Sequence, residues 1–159
     1  MKIIYCITKA DNGGAQTHLI QLANHFCVHH DVYVIVGNHG PMIEQLDARV
    51  NVIILEHLVG PIDFKQDILA VKVLAQLFSK IKPDVIHLHS SKAGTVGRIA
   101  KFISKSKDTR VVFTAHGWAF TEGVKPAKKF LYLVIEKLMS RITDSIICVS
   151  DFDKQLALK

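Results

Sequence analysis

The residues best suited to chemistry stand just after short runs of β-branched residues, in four stretches. Lys9–Gln16 reads KADNGGAQ, and its Gly13-Gly14 pair abuts the start of a helical pattern. Glycines there let a phosphate or another anion approach backbone N–H groups at a helix N-terminus. The competing reading is a tight turn where only glycine fits. Val85–Lys92 reads VIHLHSSK. Strand alternation puts His87 and His89 on one face. Two imidazoles with no third ligand apparent in the sequence make a poor metal set, and no metal is expected. His87 is expected to be packed and hydrogen-bonded and His89 to sit at a sheet's rim. Ser90 and Ser91 can cap the next helix, and Lys92 reads as an anion contact or a solvated lysine. Thr114–Trp118 reads TAHGW, with His116 where a strand gives way to a glycine turn. An imidazole there can bond a substrate hydroxyl, shuttle a proton or simply hold the loop. Trp118–Gly123 reads as aromatic cover for a sugar or lipid, or as a hydrophobic plug. Finally, Ser150 or Asp151 reads as the N-cap of a last helix.

These stretches need a scaffold that gathers them. Runs rich in Val, Ile and Leu at Ile3–Thr8, Val32–Val36, Val52–Leu55, Val85–Leu88, Val111–Thr114 and Ser145–Val149 predict strands covered on both faces. Between them, helices are predicted at about 14–29, with Ala15, Leu19, Leu22 and Phe26 on one stripe, and at 42–48, 66–81, 93–104 and 126–141. Strand and helix alternating in this way predict an α/β fold, a Rossmann-like parallel sheet of about six strands with helices on both faces. No linker or repeat interrupts it, so residues 1–159 are read as one domain. Ligands of such sheets gather at the carboxyl ends of the strands, where all four stretches lie.

Composition narrows the classes. The 159 residues are 49% hydrophobic and 21% charged, with a net charge of +6 and three cysteines. The positive balance suits an anionic partner, and the apolar setting of Cys6, Cys27 and Cys148 suits a reducing cytoplasm. No apolar run is long enough to cross a bilayer, and the first residues carry no export-signal pattern. The spaced three-glycine dinucleotide fingerprint is absent, as is an acidic residue after the second strand, which argues against NAD. No nucleophile elbow, zinc pattern or nucleic-acid motif appears. Arg98, Lys101 and Lys105 share a helical face, followed by Lys107 and Arg110. Lys125, Lys128 and Lys129 precede Phe130, Leu131 and Tyr132, a combination able to rest on anionic lipid. The Arg98 stretch reads first as an ordinary amphipathic helix whose apolar side faces the sheet, whereas for the Lys125–Tyr132 start that reading and a membrane contact both stand.

The pieces NGGAQTHLIQLA, PDVIHLHSSKAG, VVFTAHGWAFTEG and LYLVIEKLMSRITDSIICVSDFDKQLA occur in this order over nearly the whole chain. Together they resemble the N-terminal domain of GT-B glycosyltransferases of family 4, the bacterial group that builds capsule, exopolysaccharide and O-antigen chains. The resemblance implies two Rossmann-like domains facing across a cleft. The acceptor side is represented here, and the donor-binding domain is absent from this sequence. It implies a retaining, metal-independent transfer from a nucleotide sugar to a saccharide acceptor linked to polyprenyl diphosphate, in the cytoplasm or on the inner face of the plasma membrane. It implies that the isolated fragment is inactive. By position, Gly13, Gly14 and Gln16 fall in the family's glycine loop near donor diphosphate and acceptor. His116, with Gly117, matches the histidine that contacts the transferred sugar. His89 and Ser90 match the fourth-strand loop lining the cleft, and Ser150 a candidate acceptor contact. Competing readings are a non-catalytic acceptor-binding subunit, a sugar-nucleotide epimerase of the same architecture, and a small dinucleotide-binding protein.

Overall fold

The computed structural model describes residues 1–104, 106, 108–120 and 124–158. Lys105, Lys107 and Thr121–Gly123, each part of a reading above, lie outside them. Six strands form one parallel sheet: β1 (Lys2–Ile7), β2 (Asp31–Val36), β3 (Asn51–Ile54), β4 (Val85–His89), β5 (Arg110–Ala115) and β6 (Ser145–Cys148). Their spatial order is β3-β2-β1-β4-β5-β6. The chain winds outward from β1 to β3, then returns to lay β4 against β1, with Tyr5 opposite His87 and Cys6 opposite Leu88. The strand order therefore reverses between β1 and β4, and a crevice opens beyond their carboxyl ends.

Alternation along the strands builds two cores. Ile3, Tyr5 and Ile7 of β1 pack with Val32, Val34 and Val36 of β2 against Leu19 and Ala23 of α1 (Gly14–Phe26). Ile4 and Cys6 point the other way. They join Ile86, Leu88, Val111 and Phe113, covered by Leu74 and Phe78 of α2 (Phe64–Ile81) and by Val96 and Ala100 of α3 (Ser91–Ser104). Both faces of the central strands are thus dry, as their nearly continuous apolar sequence demands. Asp63 caps α2 by accepting from Lys65 N–H and Gln66 N–H, so the helix starts two residues before the predicted boundary.

The predicted helix at 42–48 is only a single 3-10 turn, Ile43–Gln45. Asn24 of α1 ends it. Its side chain accepts from Asp47 N–H at 2.8 Å and donates to the Gln45 carbonyl at 3.0 Å, taking the groups a helix would pair internally.

α4 (Pro126–Ser140) has no fully buried residue, and it exposes Phe130, Leu131, Leu133, Val134 and Leu138. β6 beside it exposes Ile146 and Ile147. The reading of Arg98 as part of a basic surface is overturned. Arg98 is wholly buried. It donates to Glu136 Oε2 of α4 at 2.8 Å and to the Gly94 carbonyl at 2.8 Å, and its guanidinium lies 4.5 Å from the Phe113 ring centroid. The charge ties α3 to α4 and does not serve a partner.

Candidate functional site

The crevice at the switch point gathers residues from β1, β4, β5 and α1. The loop after β1 leads into α1, whose N-cap Gly13 supplies no side-chain cap and whose first turn holds no acidic residue. Gly13 is extended, at φ 174°, and a Cβ on Gly14 would meet nothing within 4 Å. Neither glycine lies in the left-handed region, so no left-handed turn demands them; a Cβ on Gly13 would come within 2.7 Å of Gln16 Oε1, a close approach of that side chain to the loop. At Gly14 the pair leaves an open approach to a helix N-terminus. Gln16 folds back and donates to the Lys9 carbonyl at 3.0 Å, bracing this loop.

From β4 comes His89, from the end of β5 His116, and from the second turn of α1 His18. One ligand atom from each of these three rings lies within 4.8 Å of the others. His89 Nδ1 is 3.0 Å from His116 Nε2. The His18 ring stands edge-on to both, with centroids 5.7 and 5.4 Å away. Behind them, His87 Nε2 meets Thr114 Oγ1 at 2.7 Å, and the His87 and His89 rings lie 4.3 Å apart. Burial, together with neighbouring histidines, lowers His87 to about 4 and His89 to about 2. His116 is also held below its usual value, first by burial and then by His18. Near neutral pH these three are uncharged imidazoles, able to bond through a lone pair on one nitrogen and a proton on the other.

Sequence reasoning placed His89 at the rim, yet it is fully buried, more so than His87 at 8% exposure. The β4 strand runs one residue further than predicted and carries His89 inside the sheet. His18 was missed altogether. A signal existed: it follows Ala15 by three and precedes Leu22 by four, so it falls on the apolar stripe of α1. With His18 present the trio offers the three imidazoles that a transition metal would need, where the sequence showed two.

Ser90 takes a positive φ of 71°, and its Oγ shares a hydrogen bond with Thr8 Oγ1 at 2.7 Å. It therefore clasps β4 to β1 instead of capping α3. Lys92 is engaged by Asp67 of α2, at 2.6 and 2.7 Å to its two carboxylate oxygens, so it is neither a solvated lysine nor a free anion contact. Gly117 sits at φ +114°, a conformation that needs glycine, and turns the chain sharply after His116. Trp118 and Phe120 are core plugs, buried to 5% and 3% exposure and stacked at 5.2 Å. Trp118 Nε1–H donates to the Asp153 carbonyl at 2.8 Å, joining the loop after β5 to α5 (Asp151–Ala157). Ser150 is the N-cap of α5: its Oγ accepts from Asp153 N–H at 3.1 Å and donates to Asp153 Oδ2 at 2.5 Å. Lys125 and Lys128 are exposed at the start of α4, and Lys129 is half-buried.

Similarity to known proteins agrees with this arrangement. A model described as Glycosyltransferase Family 4 matches residues 12–159. An Escherichia coli UDP-Gal:alpha-D-GlcNAc-diphosphoundecaprenol alpha-1,3-galactosyltransferase is 32% identical over 129 residues, 81% of this chain and 33% of that protein. The Escherichia coli O-antigen biosynthesis glycosyltransferase WbnH is 23% identical over 98% of this chain and 43% of its own length. Among solved structures, Anabaena Alr3699/HepE in complex with UDP-glucose superposes with a TM-score of 0.75 at 21% identity, over 99% of this chain and 40% of that one. The chain thus spans well under half the length of these proteins. A Rossmann-like parallel sheet, a crevice at its switch point and a family match over nearly every residue lead to one conclusion: the chain belongs to glycosyltransferase family 4.

Proposed function

We propose that this chain is the acceptor-side half of a retaining GT-B glycosyltransferase of cell-surface polysaccharide synthesis. Its substrates would be a UDP-sugar and a saccharide carried on polyprenyl diphosphate. The observation that carries the reading is the convergence of an uncapped α1 N-terminus and the His18, His89 and His116 rings at the β1/β4 switch point. A departing nucleotide diphosphate needs fixed dipoles to receive its charge, and backbone N–H groups at Gly14 and Ala15 can supply them without reorganisation. His116, half-exposed beside them, is the group to bond the transferred sugar.

Two surface features support a lipid-linked acceptor. A cavity of about 580 Å3 between α2, α3 and α4 is lined mainly by apolar side chains, among them Ile62, Phe64, Ile68, Val71, Ile99 and Ile135. The start of α4 adds Lys125 and Lys128 beside exposed Phe130 and Leu131. This pairing suits a monolayer with anionic headgroups. The decisive experiment gives the complete protein a panel of UDP-sugars with and without undecaprenyl-diphosphate-linked N-acetylglucosamine. Acceptor-dependent transfer with retained anomeric configuration is expected. Conversion of the UDP-sugar alone would favour an epimerase instead.

A further inference from the structure

His89 is completely buried, and its Nε2 has no hydrogen-bond partner. Its Nδ1 stands 3.0 Å from His116 Nε2. The rings packed around it belong to Tyr5, His18, His87 and His116. No carboxylate among the described residues bonds to it. A neutral imidazole carries one proton. On Nε2 that proton would create a buried, unpaired N–H, which costs the full desolvation of the donor, whereas a bare lone pair costs less. On Nδ1 it fills the contact with His116, leaving only a lone pair unpartnered. Burial also opposes a second proton on either ring.

We propose that His89 locks the tautomer of His116: His89 Nδ1–H donates to His116 Nε2, so that His116 carries its own proton on Nδ1 and offers the crevice a hydrogen-bond donor, not a base. The two nitrogens of an imidazole diverge. With Nε2 turned to His89, Nδ1 turns away from it, on a ring that is half-exposed. Resting on the transferase reading, the bond goes to an oxygen of the transferred sugar, and the proton of the acceptor hydroxyl leaves by another route. His89 is then a positioning residue that never touches substrate.

Long-range proton–nitrogen spectra of the 159-residue chain read the tautomers directly, without substrate. Protonated Nδ1 on both His89 and His116 is expected; a proton on His116 Nε2 would overturn the proposal. So would stoichiometric zinc uptake that His18→Ala abolishes, since the 3.0 Å contact would then join two ligands of one ion. In the complete transferase, His89→Asn places an amide N–H where Nδ1–H stood. It should hold kcat/KM within roughly threefold, while His89→Leu loses about tenfold or more, one hydrogen bond's worth. Equal loss in both variants would overturn the positioning role. The spectra and the transfer assay fail independently. A wrong tautomer leaves the transferase reading standing, and absent transfer leaves the tautomer standing.

Discussion

Arg98 and Ser90 show how single residues here are fixed by partners far along the chain. Glu136 neutralises Arg98 inside the fold. Glu136→Ala leaves a buried guanidinium uncompensated and should cost about 3–5 kcal/mol of unfolding free energy. Replacing both by Met and Leu should restore most of it. Urea titration of single and double variants checks this, and an equal loss in all would contradict a paired role. Ser90 holds a left-handed backbone while bonding Thr8. Ser90→Ala keeps the strain and loses the bond, whereas Ser90→Gly loses the bond and relieves the strain. Thermal unfolding should find the glycine variant the more stable of the two by about 1 kcal/mol. Neither partnership was legible beforehand. In the sequence Arg98 reads as one more basic residue of a helical pattern, and nothing local announces an acid 38 residues later.

At the scale of elements, the six strands were legible because parallel strands buried on both faces must be apolar at nearly every position. Boundaries moved where side chains of other elements intervened, at Asp63 capping α2 and Asn24 cutting short the turn after Met42. The site was legible as loops but not as a cluster. His18 belongs to α1 and meets His89 and His116 only through the β1/β4 adjacency. Strand β4 also makes a pH prediction. As pH falls from 6.5, the unfolded chain takes up a proton that His87 refuses until about 4, and His89 refuses lower still. Stability is therefore full above that window and is lost as pH falls through it, by about 1.4 kcal/mol per unit for each histidine. Urea midpoints between about pH 7 and 5 should fall, and His87→Phe should lower the slope by one proton. An unchanged slope would contradict the buried neutral state.

For the whole molecule, the structure presents a crevice at the sheet's switch point and an exposed basic, apolar start of α4; the proposed function assigns the first to the sugars and the second to a membrane surface. Vesicles rich in anionic lipid should retain the wild-type chain at low salt and lose it as salt rises, and the triple charge reversal Lys125→Glu, Lys128→Glu, Lys129→Glu should release it already at low salt. Binding unaffected by the reversal would remove α4 as the contact. The central claim rests on His116 meeting the transferred sugar. Its most direct test is transfer kinetics of the complete protein carrying His116→Ala, at saturating UDP-sugar. The account predicts turnover reduced by roughly a hundredfold, the loss of a group acting at the reacting sugar. Unchanged turnover would contradict it.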